Sequence, residues 1–277
     1  MLIGFAGLGR MGRPMAARLA RAGHTVLAYD PGLGSAPENL TVVDDVERLA
    51  EAQLSFSMLP DGATTRDLVK HGLTRAEPGH LHVVMGTVGP ALVRELAAGP
   101  VEVADAPVSG SVSMAEAGSI TTMVGGTVAQ FERLRPVLAA MTAAQVHTGP
   151  VGSGSAAKLA VNTVLAAVNQ GVAEGLLVAE AGRLDLKVFY DVLRTSAAGA
   201  PYVGYKEEAF LSPASAGVAA PVSLIRKDLG LALDVAGQQL PGAEASRAVL
   251  DDAIAAGLGD EDMAQVLAAL RLRNARA

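Results

Sequence analysis

Short apolar runs alternate with helical patterns over the first half of the chain, and the alternation stops near residue 150. Leu2–Ala6, Thr25–Tyr29, Gln53–Met58, Leu81–Met85 and Val101–Ala104 are brief and mostly apolar, which suits strands buried on both faces. Between the first two, Arg10–Ala22 carries Met11, Met15, Leu19 and Ala22 at helical spacing and stops at Gly23. Further helical patterns cover 64–71, 90–98 and 128–140, and Ile120–Val124 and Gln145–Thr148 add two strand candidates. Strands that alternate with helices predict βαβ units, and so a parallel sheet with right-handed crossovers.

After Gly149 the strand signals end. Gly149, Gly152, Ser153 and Gly154 form a hinge of small residues, and from Ser155 to about Ala181 one helical pattern runs without a proline. At 1.5 Å per residue this helix would span roughly 40 Å, enough to bridge two domains or two subunits. The rest reads as helical, broken at Pro201, Pro213, Pro221 and Pro241. The predicted fold class is therefore α/β. Residues 1–150 form a Rossmann-type parallel sheet domain, and residues 151–277 form an all-α domain joined through the long interdomain helix. Composition supports the division, because 29 of the 52 alanines fall after residue 149 and alanine is the strongest helix former.

Charge and cysteine usage narrow the function classes. The net charge is −6 and the 22 basic residues are scattered, so no basic face marks the chain as nucleic-acid binding. With no cysteine there is no disulfide, thiol nucleophile or thiolate metal site. The apolar start, Met1–Ala6, precedes Arg10, Arg13, Arg18 and Arg21, the reverse of a signal peptide's order. The Ala-rich stretch Leu159–Ala173 contains Asn162, Asn169 and Gln170 and reads as a buried helix rather than a membrane span. A cytoplasmic protein without a membrane segment is expected. No His or carboxylate spacing suggests a metal, and His80 and His82, flanking a strand start, read as structural or exposed residues.

Gly7-Leu8-Gly9-Arg10-Met11-Gly12 fits G-x-G-x-x-G, follows an apolar strand, opens a helix and precedes a second strand that ends at Asp30. That context is the dinucleotide-binding arrangement. Gly7 allows the tight turn, Gly9 lets the backbone approach a pyrophosphate, Gly12 allows close helix–strand packing, and the helix N-terminus attracts phosphate. A carboxylate at Asp30 suits the adenosine ribose hydroxyls and repels a 2′-phosphate, which favours NAD over NADP without excluding NADP. Lys158 sits early in the long helix with Asn162 four positions on, on the same face. Burial and a nearby cationic nicotinamide would lower its pKa into the range of a proton shuttle. A lysine near a helix start can equally extend its ammonium to solvent. Ser109, Gly110 and Ser111 lack the G-x-S-x-G elbow of a serine nucleophile and suit a loop that holds a carboxylate.

With these residues in place, the chain resembles the β-hydroxyacid dehydrogenase family, which includes 3-hydroxyisobutyrate dehydrogenases and tartronate semialdehyde reductases and is related to 6-phosphogluconate dehydrogenase. Four segments carry the resemblance: Phe5–Ala16; Asp105–Ser111 continuing through Ala115 and Gly118 to Gly126; Gly152-x-Gly154-x-x-x-Lys158-x-x-x-Asn162; and Lys227-Asp228-Leu229. The resemblance implies a nicotinamide-dependent oxidoreductase acting on a small β-hydroxy acid or its semialdehyde. It makes Lys158 the catalytic lysine, Asn162 a substrate ligand, Ser109 and Gly110 the carboxylate site, and Lys227 the residue that closes the site. It also places Met58-Leu59-Pro60 beside the cofactor and Thr87 near the nicotinamide ribose, and it implies a homodimer or homotetramer through the helical domain. The chain departs from the family at Ser111 and Gly86, where glycine and serine are usual. Imine reductases share the fold but usually lack a lysine at the position of Lys158. An imine or other carbonyl reductase, or a non-catalytic NAD-binding sensor, are the alternative readings. Tyr202, Tyr205 and Phe210 are the aromatic residues expected near the pocket.

Overall fold

The structure, a computed structural model, describes residues 1–35 and 37–275. It divides into two compact units, Met1–Lys158 and Leu159–Ala277.

In the first unit the chain runs β1 (Leu2–Ala6), α1 (Gly12–Arg21), β2 (Thr25–Tyr29), β3 (Thr41–Val42), a 3-10 turn at Val46–Glu51, β4 (Leu54–Ser57) and α2 (Gly62–Asp67). It continues through β5 (Leu81–Val84), α3 (Pro90–Ala97), β6 (Glu102–Asp105), β7 (Val108–Ser109), α4 (Val112–Ala117), β8 (Ile120–Gly125), α5 (Val128–Leu138) and β9 (Thr142–Gly149). The sheet order begins β3-β2-β1-β4-β5-β6, all parallel, and the direction of winding reverses at β1. The crevice beyond the carboxyl ends of β1 and β4 is thus a topological switch point, the usual ligand position in such sheets. β8 runs antiparallel to β6 and β7 and parallel to β9, so the sheet is mixed rather than wholly parallel. The link from β6 to β8 holds only β7 and the single short helix α4, and no periodicity in the sequence announces the reversal.

Both sheet faces are buried. Ile3, Phe5, Leu54, Phe56, Leu81 and Val83 pack with Met15 and Leu19 of α1 and Leu134 and Leu138 of α5. Leu49, Val84, Val93 and Leu96 belong to the core on the other side. One stretch of β4 and β5 breaks the apolar rule. Ser55, Ser57, His80 and His82 are all buried, which settles the two histidines as interior groups. The Ala52 carbonyl can only accept, so His80 Nδ1–H donates to it at 2.6 Å. His80 Nε2 must then accept from the Ser55 hydroxyl (2.8 Å), and the Ser55 oxygen accepts from His82 Nδ1–H (2.8 Å). His82 Nε2 in turn accepts from the Ser57 hydroxyl at 2.9 Å. With both rings neutral, as their burial favours, this chain of donors and acceptors selects the Nδ1–H tautomer in each. Burial pushes both pKa values down, that of His82 to about 3.

The long helix α6 (Ser153–Ala181) starts two residues earlier than the sequence pattern suggests and crosses from the first unit into the second. It is long and apolar enough to qualify as a membrane span by length and composition. Its Ala166, Val172, Ala173 and Leu176 nevertheless belong to the core of the helical unit, with Asn162 and Asn169 buried beside them. The helical unit continues with α7 (Leu186–Thr195), α8 (Pro201–Tyr205), α9 (Glu207–Leu211), α10 (Val222–Ala236), α11 (Pro241–Ala255) and α12 (Val266–Asn274). The prolines at 201, 221 and 241 stand at or just before helix starts, where a missing N–H costs nothing.

Candidate active site

The glycine pattern at the end of β1 is explained atom by atom. Gly7 has φ +89° and its α-carbon faces the Met58 carbonyl, so a side chain is excluded by conformation and by space. A Cβ on Gly12 would run into the Gly7 carbonyl, which is how α1 comes so close to the strand. Gly9 has no atom within 4 Å of where its Cβ would lie. An open position between two closed ones, at the N-terminus of a ten-residue helix, fits a dinucleotide pyrophosphate. Asp30 accepts from Leu8 N–H (2.7 Å) and from Gly32 N–H (2.9 Å), so the carboxylate at the end of β2 also holds the glycine loop in place.

Met58-Leu59-Pro60 leaves β4 directly against this loop, and Leu59 touches the position of the Gly7 Cβ. On its other side a Cβ at Gly86 would meet the Leu59 carbonyl. The Gly86 departure thus has a physical reason in this chain, because a serine there would collide with backbone. The Ser57 carbonyl accepts from Met85 N–H and Gly86 N–H (2.8 and 3.3 Å), which brings half-buried Thr87 to the same end of the sheet. Arg18 of α1 reaches across to the carbonyls of Ala140 (3.0 Å) and Glu116 (3.3 Å) and ties α1 to α4.

Ser109 ends β7, and Gly110 follows at φ +145° with Ile120 against its face. The Ser111 hydroxyl accepts from Met114 N–H at 3.2 Å and caps α4. That is the work a serine does here where the family usually has glycine. Asp105, fully buried at the end of β6, was legible only as part of a motif. Its Oδ1 accepts from Gly152 N–H (2.6 Å) and its Oδ2 from Ser155 N–H (2.5 Å), so it clamps the first turn of α6. Burial raises its pKa, and the two N–H bonds oppose that rise. Lys158 lies half-buried one turn beyond Ser155.

Within the helical unit, buried Asn162 donates through Nδ2 to Asp228 Oδ2 at 2.6 Å. Lys227 Nζ lies 3.1 Å from the other oxygen of Asp228. Asn162 and Lys227 are thereby brought together through Asp228, a residue that spacing alone did not single out. Since a carboxylate can only accept, the Asn162 amide is oriented with its Oδ1 away from Asp228, and that oxygen is buried without a hydrogen-bond partner. Two of the three aromatic residues expected near the pocket are core residues of the helical unit. Tyr202 and Phe210 are buried in the helical core, where Tyr202 donates to Asn169 Oδ1 at 2.6 Å; Tyr205 is exposed. Nearby Lys206 and Asp262 form a buried ion pair at 2.6 Å. Among the described residues no cluster of three or more His, Asp or Glu could hold a metal ion.

Residues 2–149 match the family model of the NAD binding domain of 6-phosphogluconate dehydrogenase. Residues 152–270 match that of the NAD-binding domain of NADP-dependent 3-hydroxyisobutyrate dehydrogenase. The chain belongs to the β-hydroxyacid dehydrogenase family. It is 35% identical to a probable 3-hydroxyisobutyrate dehydrogenase of Mycobacterium tuberculosis over 249 residues, 84% of each chain. It is 34% identical to the NAD-dependent L-serine dehydrogenase of Pseudomonas aeruginosa, over 84% of this chain and 85% of that one. The solved structure of Mycobacterium tuberculosis 3-hydroxyisobutyrate dehydrogenase with L-serine superposes with a TM-score of 0.86, at 31% identity, covering 98% of this chain and 99% of that one. As a β-hydroxyacid dehydrogenase, the protein is a nicotinamide-dependent oxidoreductase that acts on CH–OH groups of a small molecule.

Proposed function

We propose that this enzyme interconverts a small β-hydroxy acid of the 3-hydroxyisobutyrate type and its semialdehyde, with Lys158 as proton acceptor and donor. The observation that carries the reading is the placement of Lys158 and Asn162 one turn apart on α6, next to a clamp built from the segment that holds Ser109 and Gly110. Relatives support the substrate class, since L-serine and 3-hydroxyisobutyrate share a carboxylate and a hydroxyl on the β-carbon. In this reading Ser109 and the Gly110 backbone hold the carboxylate, Asn162 Oδ1 accepts from the substrate hydroxyl, and Lys227 closes the site. Lys158 takes the hydroxyl proton as its neutral amine in oxidation and returns it as ammonium in reduction. Bound nicotinamide supplies the hydride acceptor or donor. The loop Gly7–Gly12, Asp30, Met58–Pro60 and Thr87 would hold the cofactor.

NAD is the proposed cofactor, because the Asp30 carboxylate opposes a 2′-phosphate and its two oxygens are fixed by Leu8 and Gly32. We also propose assembly as a homodimer or homotetramer through the helical unit. The exposed positions Ala160, Val164, Ala167, Gly171, Glu174 and Val178 recur at three- and four-residue spacing along α6, a stripe of small and apolar residues interrupted by Glu174 that a second copy could cover. Size-exclusion chromatography giving a 28.1 kDa species would contradict the assembly. The function is tested by a panel of β-hydroxy acids, α-hydroxy acids and cyclic imines with NAD and NADP. Turnover of β-hydroxy acids with NAD at a lower KM than NADP is expected. Turnover confined to imines, or NAD binding with no turnover at all, would overturn it.

A further inference from the structure

The turn that starts α6 is built around one side chain from another part of the sheet. Asp105 is 47 residues from Gly152 and 50 from Ser155 in sequence, yet each carboxylate oxygen takes a backbone N–H from that turn. The surroundings leave no slack. A Cβ on Gly154 would collide with the Met123 carbonyl and come within 3.0 Å of the Asp105 carbonyl and Oδ2. A Cβ on Gly125, the cross-strand partner of Asp105, would meet Asp105 Oδ1 and lie 2.8 Å from Gly154 N. The two glycines let the carboxylate and the helix start close upon each other, and a bidentate acceptor at a helix N-terminus is held by charge as well as by geometry. Asp105 also lies four residues before Ser109 on a rigid strand end, so the same group anchors the carboxylate-binding segment and the helix that carries the lysine.

We propose that Asp105 is a positioning residue for Lys158, fixing where α6 begins relative to Ser109 and Gly110. Lys158 is three residues beyond Ser155, about 4.5 Å along a stiff helix, so a shift of the first turn passes to it nearly undiminished. A misplacement of about 1 Å can cost about a hundredfold in turnover. The role rests on the reading of Lys158 as the proton-transfer group. A purely structural carboxylate would make a different prediction, because any variant that folds would then work.

The test uses the full-length enzyme with NAD(H) and the β-hydroxy acid it turns over best, comparing Asp105→Glu, Asp105→Asn, Lys158→Ala and the double variants. Asp105→Glu keeps the charge but adds one C–C bond, about 1.5 Å. It should fold, bind NADH within about twofold of wild type by fluorescence titration, and lose about 30- to 100-fold in kcat. In the Lys158→Ala background the same substitution should change kcat by less than about twofold, since there is no lysine left to misplace. Should Asp105→Glu or Asp105→Asn not fold in so close a setting, Gly125→Ala crowds the same carboxylate with Asp105 intact and is read in the same way. A folded, NADH-binding Asp105→Glu enzyme with near-normal kcat would overturn the proposal, as would losses that multiply in the double variant. Full activity of Lys158→Ala would instead overturn the reading of the lysine itself.

Discussion

The buried histidines make acid stability the most quantitative consequence of this structure. His82 has no exposed surface and its pKa is pushed to about 3, whereas in the unfolded chain an imidazole titrates near 6.5. Below pH 6.5 the unfolded state takes up a proton that the folded state refuses, so stability falls as pH falls, at about 1.4 kcal/mol per unit, until the folded pKa is reached. Integrated between pH 7.5 and 4.5, His82 alone removes about 2.6 kcal/mol, a large part of the ~5–15 kcal/mol that holds a typical domain together. His80, also pushed down by burial, adds to the loss in the same direction. The double variant His82→Leu/Ser57→Ala removes the titrating ring and the hydroxyl that it would otherwise leave without an acceptor, while Ser55 still donates to His80. Denaturant unfolding of wild type and variant at pH 7.5, 6.5, 5.5 and 4.5 isolates the term, because every other titrating group is common to both. The wild type should lose about 2.6 kcal/mol more than the variant over this range. Parallel curves, differing by less than ~0.5 kcal/mol, would mean that His82 takes up its proton in the fold as readily as in the unfolded chain, and would refute the neutral tautomer chain at acid pH.

Two further changes test other parts of the structure. Lys206→Met strips the buried Asp262 of its cation and should cost about 3 kcal/mol in a urea titration, toward the low end for a broken buried pair because Ala219, Ala220 and Ala264 N–H groups still bond the carboxylate. A loss under ~1 kcal/mol would show that the pair is not desolvated. Gly12→Ala places a methyl against the Gly7 carbonyl and should raise the Kd for NADH by at least ~10-fold, equivalent to 1.4 kcal/mol, in a fluorescence titration; unchanged affinity would detach this loop from the cofactor.

How far the sequence could be read follows from how local each feature is. The β1–loop–α1–β2 unit with Asp30 lies within one short stretch, and its glycines, helix stop and acidic end could all be recognised there. The two-residue strands Thr41–Val42 and Val108–Ser109 are too short to show any period, and the antiparallel setting of β8 depends on neighbours, not on its own residues. Asp105 escaped because its partners are 47 and 50 residues away, and capping by a distant carboxylate leaves no spacing signal. The sequence leaves His80 and His82 as either structural or exposed; Ser55 and Ser57 on the neighbouring strand give them partners and allow full burial, a cross-strand pairing that no local spacing shows. Tyr202 and Phe210 are core residues of the helical unit, a burial that depends on neighbours far along the chain.

The central claim is that Lys158 moves the proton while the glycine loop holds the cofactor, and Lys158→Ala separates the two. The variant should bind NADH within about twofold of wild type and lose about 100- to 10,000-fold in kcat on the preferred β-hydroxy acid. A variant that binds NADH normally and turns over at a near-wild-type rate would contradict the account.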